Sequence, residues 1–269
     1  MKKIIQYICF AVVLIAFTGC EIDNFDGPNA SLSGRILIAG TNELLSTDQG
    51  KDNMTIRMKE LSWKEVEEDA IAWQTLNIKM DGSYNHDKLF SGTYLIFPYE
   101  GPFYPILEEN RETIEIKGNT VKDFFVTPYL KAEWVEHPNV VERPLPGDAE
   151  KTGKYITCTA KFTRIEPPAG YPSSKPDLNG TSSGNGFCRM FVSTSHWVGA
   201  GNLLQVTDDN IPISNAQEGQ EIRFNMRNTE PLKYGQKYYV RVGFSATGSN
   251  KKYNYTTVYE LEVPPFVFN

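Results

Sequence analysis

Ile156-Thr157-Cys158-Thr159-Ala160-Lys161-Phe162-Thr163 alternates apolar and polar side chains without a break. A side-chain period of two marks a strand with one face against a core and the other turned outward, and the β-branched threonines favour extended backbone. The same period recurs on both sides of this stretch. Upstream, Leu32, Gly34, Ile36 and Ile38 fall on one face, and Ile56 with Met58 begins another run. Leu76, Ile78 and Met80 lead to Asp81-Gly82, a strong turn pair, with Tyr84 opening the return strand. Residues 89–96, 113–116 and 121–126 read as further strands, the last two joined by a Lys117-Gly118-Asn119-Thr120 turn. A sandwich of about seven strands and about 100 residues accounts for this half.

Downstream, strands are predicted at 131–136, 187–192, 203–206, 221–226 and 256–263, the last stopped by Pro264-Pro265. Residues 138–154 carry three prolines before Gly147 and read as a long loop. Residues 166–186, rich in Pro, Gly, Ser and Asn, read as an exposed one. Residues 63–73 crowd Glu and Asp together, as in a solvated excursion between strands. Thr127-Pro128-Tyr129 marks the handover between two bodies, because proline restricts its predecessor and cannot donate to a ladder. Leu232, Gly235 and Tyr238 ahead of Val240 and Val242 have the spacing of the tyrosine corner of fibronectin type III domains, with Tyr234 where that motif usually has proline. The fold expected is all-β, with two β-sandwich domains, the second fibronectin type III- or immunoglobulin-like. The division expected is a signal peptide at 1–19, a tether at 20–30, and sandwiches at 31–129 and 130–269.

Lys2 and Lys3 precede an apolar run over 4–17 that closes on Phe17-Thr18-Gly19-Cys20. A basic start, an apolar run too short to span with certainty and a small pair before cysteine make a bacterial lipoprotein signal, with Cys20 the lipidated residue. Several acyl chains hold a protein stably on a membrane where a single chain does not. Removal of Lys2 and Lys3 takes the formal net charge from −6 to −8. The remaining basic residues are scattered among carboxylates, which excludes a nucleic-acid binder dependent on clustered cations. Cys158 and Cys188 are left to form a disulfide, which export permits, or to sit as small buried thiols.

Phe25-Asp26-Gly27-Pro28-Asn29-Ala30 leading to Leu32-Ser33-Gly34-Arg35-Ile36, then Asp81-Gly82-Ser83-Tyr84, Leu89-Phe90-Ser91-Gly92-Thr93-Tyr94, Gly101-Pro102-Phe103 and Val126-Thr127-Pro128-Tyr129, resembles a Bacteroidetes lipoprotein family of unknown function. The resemblance runs from the tether to about Tyr129. It implies a transthyretin-like, carboxypeptidase-regulatory-type first sandwich, lipid-anchored at the outer membrane; the acidic residues just behind Cys20 resemble the signal that sends such lipoproteins to the cell exterior, the alternative being a solvated tether. It also implies partners in starch-utilisation-type uptake, namely an outer-membrane transporter and glycan-binding lipoproteins. It supplies no catalytic residues.

The residues themselves offer little chemistry. His86, His137 and His196 lie far apart, without the short spacing of a metal site. Ser193-Thr194-Ser195-His196 has no nucleophile elbow and no evident acid to orient the ring. Glu67-Glu68, Glu108-Glu109 and Asp208-Asp209 are adjacent pairs, which point apart on a strand. Neither a catalytic residue nor a cofactor or metal is therefore expected. Aromatic residues carry the one binding indication. Trp63, Trp73, Tyr99, Phe103, Tyr104 and Trp197 lie in or beside predicted loops, where flat rings can stack on sugar faces; the alternative is that they staple loops to the cores. Two readings follow: a noncatalytic surface lipoprotein that binds or presents a polysaccharide, or a structural accessory docked to a transporter without its own ligand.

Overall fold

The computed structural model describes residues 27–50, 53–62, 67, 70–179, 186–204, 210–227, 229–246 and 252–265. Cys20, the signal segment and Trp63 lie outside these residues. Among them no helix is long and apolar enough to cross a membrane.

The first sandwich holds β1 (Ala30–Ile38), β2 (Thr55–Glu60), β3 (Gln74–Asn77), β4 (Ser83–Leu89), β5 (Gly92–Glu100), β6 (Glu112–Ile116), β7 (Asn119–Val121) and β8 (Phe124–Val126). One sheet runs β4-β1-β7, with β8 also beside β1; the facing sheet runs β3-β2-β5-β6. Both β7 and β8 pair with β1 in parallel. Leu32, Ile36, Ile56, Met58, Tyr94, Ile96 and Phe103 fill the space between the sheets. The Asp81-Gly82 turn forms as expected: the Gly82 N–H donates to Lys79 O at 2.9 Å, and Gly82 takes φ +83°. It is nevertheless a corner rather than a hairpin within one sheet. β3 pairs with β2 and β4 with β1, so the chain changes layers at the turn.

The second sandwich holds β9 (Leu130–Leu145), β10 (Asp148–Arg164), β11 (Gly186–Ser193), β12 (Ile211–Ile213), β13 (Ile222–Asn225), β14 (Lys237–Ser245), β15 (Tyr253–Tyr255) and β16 (Tyr259–Glu262). Its sheets run β13-β10-β9 and β12-β11-β14-β15, with β16 also on β14. Ile156, Cys158, Ala160 and Phe162 are fully buried in its core, as their alternation requires. Thr157 and Thr159 on the opposite face are only 5% exposed, because β10 is the central strand and its neighbours lean over it. Thr159 Oγ1 donates to Glu136 Oε2 at 2.8 Å, and Thr157 Oγ1 to Phe224 O at 3.0 Å.

The loop expected at 138–154 is instead the far end of the β9–β10 hairpin. The register slips between Thr157–Asn139 and Thr159–Glu136, so His137 and Pro138 bulge where the ladder is interrupted. Pro144 borders a second slip, and Gly147 at φ +79° makes the turn. Prolines that argue against an ordinary strand fit here because bulges do not need their missing N–H. Residues 166–179 form the exposed loop expected, pinned at two points. Tyr171 packs on Tyr104 with ring centroids 5.2 Å apart, and Leu178 enters the core. Leu203 and Leu204 are not in a strand, and the strand expected over 256–263 breaks at 256–258 between β15 and β16. Tyr238 does form the expected corner: its hydroxyl accepts the Lys233 N–H at 2.9 Å. Cys158 and Cys188 are buried thiols, with Cys158 Sγ 3.5 Å from Met190 Sδ.

Candidate functional site

The two sandwiches are fastened by polar groups that each body buries against the other. Residues 45–50, between β1 and β2, push Asp48 into the second sandwich, where its side chain is 2% exposed. Its carboxylate accepts the Ala200 N–H at 2.6 Å and the Tyr255 hydroxyl, and lies 3.8 Å from Arg241 Nη2. The Arg241 guanidinium lies over the Tyr255 ring, 3.4 Å from its centroid, and donates to Thr47 O at 3.0 Å. Burial pulls the guanidinium below its ordinary range, opposed by the charge of Asp48, while burial holds the Tyr255 phenol well above its own. Gly199 is required here. A Cβ on it would stand 2.3 Å from Arg241 Nη2 and 2.5 Å from Asp48 Oδ1.

A second group of contacts surrounds the Thr127-Pro128-Tyr129 handover. The Tyr129 N–H donates to Pro102 O at 3.0 Å, and Ile165 N–H to Tyr129 O at 3.0 Å. Tyr104 O–H donates to Ile165 O at 2.8 Å, and the side chain of Asn254 bridges Leu130 N–H and Pro102 O. With hydrogen bonds on both sides of a short connection, the relative position of the bodies is built into the fold.

Between these fastenings lies a groove of about 790 Å³. The first sandwich contributes Glu43 and Leu44, and the second contributes Lys131, His196, Trp197 and Thr257. Trp197 is 44% exposed, and its ring stands edge-on to His196 at 5.7 Å. His196 in turn packs against Tyr239 at 5.5 Å, so the indole is held by an aromatic row rather than left loose. Lys131 is kept charged chiefly by Glu133, 2.9 Å away, with a smaller attraction from Glu43 across the groove. An apolar ring flanked by carboxylate, ammonium, imidazole and hydroxyl groups suits a ligand with alternating apolar and hydroxyl-bearing faces.

The aromatic residues singled out from sequence do not converge on one hollow. Trp197 enters the groove. Trp73, 37% exposed, and Tyr99 lie on the outer face of the β3-β2-β5-β6 sheet. Phe103 and Tyr104 are 2% and 3% exposed and serve the first core and the domain junction, which corrects their reading as contact residues. Both were drawn inward because the stretch after β5 crosses from the sheet to the junction and has apolar surface to cover on each side. Sequence reasoning missed Asp48, Arg241 and Tyr255 altogether. A carboxylate in a loop and an arginine in a strand look solvated until their partner 193 positions away is known. Among the described residues, no three His, Cys, Asp or Glu side chains gather as metal ligands.

Residues 30–127 match the family model described as "Protein of unknown function (DUF3823) N-terminal domain". The first sandwich is thus similar to the DUF3823 N-terminal domain. Solved structures agree over most of the chain. A DUF3823 family protein from Bacteroides uniformis shares 23% identity with a TM-score of 0.68, covering 88% of this chain and 100% of that one. A DUF3823 family protein from Parabacteroides merdae shares 20% identity at TM-score 0.58 with the same coverage. A second Bacteroides uniformis structure, called "a putative carbohydrate binding protein", shares 24% at TM-score 0.60, again covering 88% and 100%. No curated protein matches the chain. The resemblance read from the sequence is borne out in its likeness to a family of unknown function represented in Bacteroides, with which the all-β sandwich fold is shared.

Proposed function

We propose that this chain is a noncatalytic, lipid-anchored protein of the outer-membrane surface that binds a polysaccharide in the groove beside Trp197 and presents it for uptake. The carrying observation is the exposed indole, buttressed by His196 and Tyr239, in a cleft whose walls come from both sandwiches. A ring held in place loses little freedom when a sugar stacks on it, so its contact area turns into affinity more efficiently than that of a loose side chain. The neighbour called "a putative carbohydrate binding protein" lends support at the level of the fold. Cys20 provides the anchor, and residues 20–30 the tether.

The test is a polysaccharide array probed with the purified protein and with Trp197→Ala. Retention by one or more glycans, weakened about five- to thirtyfold in the variant, is the expected result; a single well-stacked ring contributes on the order of 1–2 kcal/mol. Equal retention by both proteins would remove the groove from consideration.

The interlocking of Asp48 with Arg241 and Tyr255 favours a second reading, a spacer or docking subunit of a transporter complex, since rigid orientation serves a scaffold as well as a binder. Co-purification with an outer-membrane transporter, together with silence on the array, is its expected outcome.

A further inference from the structure

The outer face of the β3-β2-β5-β6 sheet runs against the acidic character of the chain. Arg57 and Lys59 lie on this face of β2, Phe97 and Tyr99 on that of β5, and Trp73 and Arg111 at the ends of the edge strands; Lys59 and Phe97, 6% and 5% exposed, form the floor beneath the others. Cations and rings interleave. The Arg57 guanidinium lies 3.5 Å from the Tyr99 centroid, Arg111 4.5 Å from that of Phe97, and Lys59 Nζ 4.7 Å from that of Trp73. The rings meet edge to face, Trp73 with Phe97 at 5.6 Å and Phe97 with Tyr99 at 6.2 Å.

We infer that this face is a second binding surface, for an anionic saccharide bearing carboxylate or sulfate groups, distinct from the groove beside Trp197. The nearby carboxylates leave the arginines underused. Glu108 approaches Arg111 only to 3.7 Å with an 87% exposed side chain, and Glu100 is engaged by Lys252 at 3.3 Å. Nε of both Arg57 and Arg111 is buried without a hydrogen-bond partner among the described residues. A guanidinium lying over a ring with its Nε turned inward is restricted in orientation, so its outer N–H groups meet a carboxylate or sulfate with little further ordering. Trp73 offers an exposed ring to the apolar side of a pyranose, and Thr75 and Thr113, which share the face by register with Arg57 and Leu95, offer hydroxyls. Charge alone would suit any polyanion. Rings and hydroxyls set among the cations on a broad strand surface are what an acidic polysaccharide uses and an acidic peptide does not.

Affinity electrophoresis of the purified full chain through gels containing polygalacturonate, heparin, fully methyl-esterified polygalacturonate or polyglutamate tests this. Retardation by polygalacturonate or heparin, falling as salt rises, with little by the ester or by polyglutamate, is expected. Arg57→Gln and Arg111→Gln each weaken it about tenfold, the usual effect of losing a charge-assisted hydrogen bond. Trp197→Ala leaves it unchanged, which separates this surface from the groove. Thermal unfolding checks that each variant is folded, and Arg111→Gln, at a strand end, serves if Arg57→Gln is not. Absence of retardation by both acidic polysaccharides, equal retardation by the ester or by polyglutamate, or full retention by a folded arginine variant would each overturn the inference.

Discussion

Arg241 and Asp48, 193 residues apart, lie 3.8 Å from each other with side chains 1% and 2% exposed, and each comes from a different sandwich. The pair alone would not hold two bodies together, because taking both charges out of water costs about as much as their attraction returns. Its value comes from the groups around it. Tyr255 lies against the guanidinium and donates to the carboxylate, backbone N–H groups of residues 49 and 200 fill further lone pairs of Asp48, and Thr47 O accepts from Arg241. The arrangement rewards one relative position of the sandwiches and penalises others.

Asp48→Ala is expected to destabilise the protein by about 3 kcal/mol, since it strands a buried guanidinium that loses its counter-charge. Calorimetry should show the lower-melting sandwich unfolding separately from the other. A single unshifted transition would show that the pair contributes nothing to the coupling.

Alkali should loosen the same junction. Burial first, and nearby phenols and carboxylates second, push Tyr104 up to about 12, and burial does the same for Tyr129. Both folded values stand above the ordinary 10.0 of the unfolded chain. The unfolded state therefore releases these protons first, so their contribution is fully present below pH 10 and is lost as pH rises toward about 12. Urea midpoints measured from pH 8 to pH 11 should be level at first and then decline, and Tyr104→Phe should flatten the decline.

Tyr238→Phe removes the acceptor of the Lys233 N–H and is expected to cost about 1 kcal/mol while leaving glycan retention unchanged. Chemical denaturation of the variant measures this directly. A loss below about 0.3 kcal/mol would mean that water replaces the hydroxyl without penalty.

Reductant should not matter to stability. Cys158 and Cys188 lie in the second core as thiols, so alkylation after denaturation without reductant should label both, and dithiothreitol should leave the melting temperature in place. Labelling of neither would reveal a disulfide.

Much of the architecture follows from local pattern. The alternation through Ile156 and Phe162, the turn at Asp81-Gly82 and the spacing of Leu232, Gly235 and Tyr238 each express a rule that acts within a few residues, and each holds in the structure. Local rules failed where long-range pairing overrode them. Pro138 and Pro144 argue for a loop until β10 supplies a ladder whose slips accommodate them. Leu178 sits in a polar, proline-rich stretch yet reaches the core through a hydrogen bond from its N–H to Asn215.

By itself, then, the sequence determined the layered β character of the chain, the corner tyrosine and the family likeness, because side-chain alternation and turn chemistry are properties of neighbouring residues. Only the tertiary structure decided which aromatic rings face solvent, that Trp197 borders a groove while Phe103 and Tyr104 do not, and that Asp48 meets Arg241. Exposure and partnership depend on which distant segments come to lie against a residue, and that is fixed only when the sheets stack and the two bodies close on each other.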